Sequence, residues 1–125
     1  MTDFSSVEIR FTPKFQRKLR FLAKKYRQIQ SDLSKIFVQL KAGDLPGDRL
    51  SGIGAEVLKV RIKNSDIKKG KSSGYRIIYW LQTPTCVVLV DIYTKSEQDD
   101  VEISEIQSII AKFEKQSEEG EDEVV

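Results

Sequence analysis

Two apolar runs separated by three residues constrain this chain more than any other feature. Tyr75 to Gln82 and Cys86 to Tyr93 are both rich in aromatic and β-branched residues, with Thr83-Pro84-Thr85 between them. So short a connection joins antiparallel neighbours only, and the pair predicts a β-hairpin. A hairpin alone is marginal in water and needs more strands, or helices, against its apolar face. Glu56 to Ile62 supplies a third strand, alternating Leu58, Val60 and Ile62 with Lys59 and Arg61. Val7-Glu8-Ile9-Arg10-Phe11 alternates in the same way. It must join the same sheet, because a lone strand leaves its backbone groups unpaired.

The intervening segment has helical periodicity. Thr12-Pro13 is a helix start, with Thr12 as N-cap and Pro13 in the first turn. Phe15, Leu19, Leu22 and Tyr26 then form one apolar stripe. The other faces of this helix are basic (Lys14, Arg17, Lys18, Arg20, Lys24, Lys25, Arg27), as expected of a solvated outer surface. A second helix is expected from about Ser31, with Leu33, Ile36, Phe37 and Leu40 as its stripe and Gly43 as its stop. Residues 43–54 carry four glycines and Pro46 and read as a loop; they lack the Gly-Lys-Ser/Thr ending of a P-loop. A last helix is expected from about Asp100 to Lys115, on a stripe of Ile103, Ile106, Ile110 and Phe113. The expectation is one domain over residues 1–115 and an acidic, disordered tail over 116–125. Its class is α+β in the order β-α-α-β-β-β-α. The sheet is small and mostly antiparallel, with the helical hairpin on one face and the last helix elsewhere.

The period-two rule assigns faces. Leu58, Val60, Ile62, Tyr75, Ile77, Tyr79, Leu81, Val88, Val90 and Ile92 are expected to face the helical hairpin. Lys59, Arg61, Arg76, Asp91 and Tyr93 then share the opposite face, with Lys95 just past the strand end. Ile78, Trp80, Val87 and Leu89 are expected on that side too, so part of it needs cover, and the last helix can provide it. The loop 63–74 adds Lys63, Lys68, Lys69 and Lys71 against one acid, Asp66. Lys, Arg and Tyr on one face suit a phosphodiester and a stacked base. The alternative is that they merely solvate a sheet.

Charge and absences narrow the chemistry. Residues 1–95 hold 19 basic and 8 acidic side chains, whereas residues 96–125 hold 2 and 11, so a formal net charge of +2 conceals a basic body and an acidic end. An anionic partner fits the body. The chain has no histidine, which excludes Ser-His, Cys-His and His-metal arrangements. Its one cysteine, Cys86, can form neither an internal disulfide nor a cysteine metal cluster and is expected to be a small core residue. A single thiol and no signal peptide point to a cytoplasmic location, and no apolar run approaches the roughly 18 residues of a membrane span.

Beyond these patterns, Lys71-Ser72-Ser73-Gly74-Tyr75-Arg76-Ile77-Ile78-Tyr79, following the strand Lys59-Val60-Arg61, resembles the RelE/ParE superfamily of bacterial toxins. Val90-Asp91-Ile92-Tyr93-Thr94-Lys95-Ser96-Glu97 before an acidic helix start is similar to the HigB-type branch, and Phe11-Thr12-Pro13-Lys14-Phe15 and Leu22-Ala23-Lys24-Lys25-Tyr26 also fit. The resemblance covers about residues 7–114 and the order of elements.

It implies a RelE-like fold and a toxin of a type II toxin–antitoxin module. Such a toxin docks in the ribosomal A site, cleaves mRNA there and is restrained by a cognate antitoxin. The implied reaction is attack of a ribose 2′-hydroxyl on the adjacent phosphate, without metal or cofactor. By the same resemblance Arg76 contacts the phosphate, Lys59 and Arg61 act as base and charge stabiliser, and Tyr93 and Lys95 stand where stacking and phosphate contacts occur. Lys63, Lys68, Lys69 and Lys71 would add RNA contacts. The chain departs from the RelE branch at Ser96, where a basic residue is usual, and at Glu102, where a tyrosine is usual. Glu97 or Tyr93 are the substitutes at hand. Two other readings share the fold: a ParE-like gyrase-binding inhibitor without catalysis, and an RNA- or DNA-binding domain that has lost it.

Overall fold

A computed structural model of the chain describes residues 7–67, 74–98 and 100–124, with side chains through residue 116. The elements run β1 (Glu8–Phe11), α1 (Pro13–Lys25), α2 (Ile29–Lys41), β2 (Asp48–Arg49), β3 (Val57–Ile62), β4 (Tyr75–Thr83), β5 (Cys86–Thr94) and α3 (Ile103–Val124). The class is α+β, as expected. The strands form one open sheet in the order β1-β5-β4-β3-β2. β1 lies parallel to β5, and the other neighbours are antiparallel. The helical stripes explain the layers. Phe15, Leu22, Leu33, Ile36 and Leu40 of α1 and α2 pack with Leu58, Val60, Ile77, Tyr79 and Ile92 on one sheet face. Ile106, Ile110 and Phe113 of α3 pack with Val57, Ile78, Trp80 and Val88 on the other.

The hairpin is as expected, but β5 does not keep one parity. Tyr79 pairs with Leu89 and Ile78 with Asp91, so Val90 is an extra, bulged residue. An inserted residue reverses the facing of every side chain on one side of it. Val87 and Leu89 therefore face the helical hairpin, and Val88 and Val90 face α3, which corrects the expectation for all four. Past the bulge, Ile92, Asp91 and Tyr93 lie on their expected faces, Asp91 opposite Ile78 and Tyr93 opposite Arg76.

Thr12 clips this bulge to the start of α1. Its hydroxyl oxygen accepts the Phe15 N–H at 3.0 Å and its O–H donates to the Val90 carbonyl at 2.8 Å, with the residue itself buried. It is thus both the expected N-cap and the partner of a buried carbonyl. Thr12→Ala is expected to cost about 2–3 kcal/mol in urea unfolding, and Thr12→Ser, which keeps the hydroxyl, less than about 1 kcal/mol.

Three boundaries differ from the sequence reading. β2 was expected as loop: two residues are too few to carry a period. It pairs with Lys59 and Leu58. Gly47 permits that approach, since its φ is +100° and a Cβ there would lie 2.3 Å from the Lys59 carbonyl oxygen. α2 begins at Ile29, not near Ser31, and buries Ile29 as well. α3 starts three residues later than expected and continues through Val124, where a disordered tail was expected. Glu, Gln and Lys are good helix formers, and this backbone continues the apolar-striped turns before it. Among the described residues, no helix is long and apolar enough to cross a membrane.

Candidate nucleic-acid interface

The sheet face opposite the helical hairpin is divided in two. α3 covers its apolar part, with Phe113 set edge-on to Trp80 at 6.5 Å between ring centroids. The remainder is a polar row. Arg61, Arg76 and Tyr93 are direct cross-strand partners on β3, β4 and β5, and Lys59, Ile78 and Asp91 form the adjacent row. Like charges directly opposite each other on neighbouring strands cost stability. Arg61 against Arg76 is therefore a placement that packing alone does not favour.

Each side chain in this region is held differently. Arg76 is 5 % exposed, and its guanidinium donates to the Gly74 carbonyl at 3.0 Å. Gly74 is itself required by close approach, since a Cβ there would meet the Ile62 carbonyl oxygen at 2.4 Å. Arg61 is exposed and borders a groove of about 510 Å³ between α2 and the edge of β3 that β2 does not cover, lined also by Asp32, Lys35 and Lys63. Tyr93 is fully buried, and its hydroxyl donates to Asp100 Oδ1 at 3.3 Å. Burial and the Asp100 carboxylate push the Tyr93 phenol up to about 12, so it is a proton donor at neutral pH. A ring so enclosed offers no face for stacking, and its hydroxyl is engaged by Asp100.

Lys59 is half-buried, with Nζ 3.4 Å from Asp100 Oδ1. Asp100 also accepts the Val101 N–H at 2.8 Å, and this bond, with the Lys59 ammonium, holds its carboxyl below the ordinary aspartate value. Lys95 is exposed in the turn after β5. Glu97 accepts from the Thr94 N–H at 3.2 Å and its hydroxyl at 3.1 Å, so it is committed to that turn. Lys63 is exposed just past the end of β3. Lys68, Lys69 and Lys71 lie outside the described residues. Cys86 is buried and free, and burial pushes its thiol up.

The fold also brings in residues that the sequence reading left on a solvated helix face. Asp91 is fully buried, and Lys18 of α1 reaches its Oδ1 at 3.0 Å, while Lys14 stands 3.6 Å from its Oδ2. Lys14 also pairs with Glu105 of α3. The Lys18 ammonium lies 5.7 Å from the Tyr93 ring centroid. Three cations therefore gather about Tyr93: Lys18 over its ring, Lys59 beside the carboxylate at its hydroxyl, and Arg76 opposite it on β4. The sequence signals were the i, i+4 spacing of Lys14 and Lys18 and the lone carboxylate within Val87 to Ile92, because a buried carboxylate needs cations.

No protein-family model matches the chain, and no curated protein matches it either.

Proposed function

We propose that this protein is the toxin of a toxin–antitoxin module, an mRNA endonuclease that acts on message held in the ribosomal A site. The observation that supports the reading is the cross-strand row Arg61–Arg76–Tyr93 beside Lys59, in which Arg61 is exposed, Lys59 half-buried, and Arg76 and Tyr93 lie just beneath the surface. A scissile phosphate over Arg76 receives a planar, two-pronged donor that matches two phosphate oxygens. The attacking 2′-hydroxyl gives its proton to solvent, and Lys59 and Arg61 neutralise the charge that builds on the phosphoryl oxygens. The phosphorus–5′-oxygen bond then breaks, and in this reading the Tyr93 hydroxyl, once Asp100 releases it, protonates the leaving oxygen. These are charge and proton roles that need no histidine. The RelE-like topology and restraint by an antitoxin belong to the same reading, the antitoxin being an acidic or amphipathic segment that fits the basic body.

The test is induced expression in bacteria, followed by mapping of mRNA 5′ ends and by incubation of purified protein with mRNA, with and without ribosomes. Growth arrest and cuts that depend on ribosomes are expected. Intact mRNA with inhibited gyrase supercoiling would instead make the protein a gyrase-binding inhibitor. RNA binding without either activity would leave a binding domain.

A further inference from the structure

Asp100 sits where the proposed reaction needs an anion. Three donors from three places in the fold converge on a single atom, its Oδ1: the Lys59 ammonium of β3 at 3.4 Å, the Tyr93 hydroxyl of β5 at 3.3 Å and the Val101 amide before α3 at 2.8 Å. An ammonium, a phenol and a backbone N–H directed at one point form a cradle for an anionic oxygen. The carboxylate that fills it is not itself locked in place. Its side chain is 67 % exposed, against 23 % for Lys59. A rotation of one side chain would vacate the cradle, with no movement of α3.

We propose that Asp100 is an internal stand-in for the RNA phosphate, an autoinhibitory contact that the substrate backbone must displace. The inference rests on the RNA reading of this face and concerns the regulation of that same site. With Asp100 in place the Lys59 and Tyr93 donors are engaged, and a phosphodiester competes with a tethered carboxylate for them. Removing the carboxylate's charge while keeping its shape and its acceptor for Val101 therefore strengthens RNA binding.

The experiment uses the full chain and a short single-stranded RNA made uncleavable by 2′-O-methylation, with affinity measured by fluorescence anisotropy over a salt series. Asp100→Asn is expected to bind about two- to fivefold more tightly than the unaltered protein at low salt, the range of an exposed ion pair, with the gap closing as salt rises. Glu114→Gln makes the same charge change at an exposed position of α3 and is expected to leave affinity unchanged. Arg76→Ala is expected to weaken binding in both the native and the Asp100→Asn backgrounds. If Arg76→Ala weakens binding but Asp100→Asn gains nothing, or gains no more than Glu114→Gln, the stand-in role is wrong and the RNA site stands. If Arg76→Ala has no effect in either background, RNA does not bind at this face and both readings fall.

Discussion

Arg76→Ala is expected to lower ribosome-dependent mRNA cleavage by about two to three orders of magnitude, the usual effect of removing a preorganised donor from a charge-building transition state. Arg76 lies in the middle strand of the polar row, with Arg61 on one side and Tyr93 on the other. No other side chain in the row combines a central position with a guanidinium fixed locally, through the carbonyl of Gly74 just before β4. Arg76→Lys is the sharper comparison. It keeps the charge and loses the fork, so it should recover binding in large part and cleavage only in small part. Single-turnover cleavage on ribosome-bound message separates the two. The alanine variant is to be checked by circular dichroism and thermal unfolding, because Arg76 is largely buried. A folded Arg76→Ala protein that still cuts at near the native rate would remove the arginine from the mechanism.

How far this site could be read from the sequence depended on the kind of constraint involved. The hairpin and the Lys59–Arg61 strand follow from a period of two, which any half-buried strand imposes on its residues. That period brought Arg61, Arg76 and Tyr93 to one face correctly. It misplaced Val87 to Val90, because a bulge inserts a residue without a residue type that marks it. The β2 pairing was invisible for a related reason, since Asp48 and Arg49 are a strand only by virtue of Gly47 and a neighbouring edge. Lys14 and Lys18 read as solvent cations because long side chains can cover much surface and still reach a distant group. Only the fold places them beside Asp91. Asp100 lies in a connection between elements, where no period operates, and its meeting with Lys59 and Tyr93 depends wholly on where α3 begins.

Asp91→Ala is expected to destabilise the protein by about 3 kcal/mol, the low end of what breaking a buried ion pair from one side costs. The carboxylate is completely buried immediately beside the Val90 bulge, and three groups depend on it. Its Oδ1 accepts the Ile92 N–H at 2.8 Å and the Lys18 ammonium at 3.0 Å, and its Oδ2 faces Lys14 at 3.6 Å. Alanine leaves the Ile92 amide without that acceptor and two ammonium groups in a partly desolvated corner. Both lysines keep some solvent contact, with side chains 25 % and 23 % exposed, and can relax outward, which holds the cost to the low end. Asp91→Asn retains an acceptor for the amide and removes only the charge, so about half of the loss is expected. Urea unfolding at unchanged m-value measures both. A loss below about 0.5 kcal/mol for the alanine variant would mean that the bulge is held by Thr12 and packing alone. The functional consequence follows from the same geometry. Removing Asp91 takes a negative charge from beside the row and releases Lys14 and Lys18 from it, so the folded Asp91 variants should bind RNA at least as tightly as the native protein, and any gain should fade as salt rises.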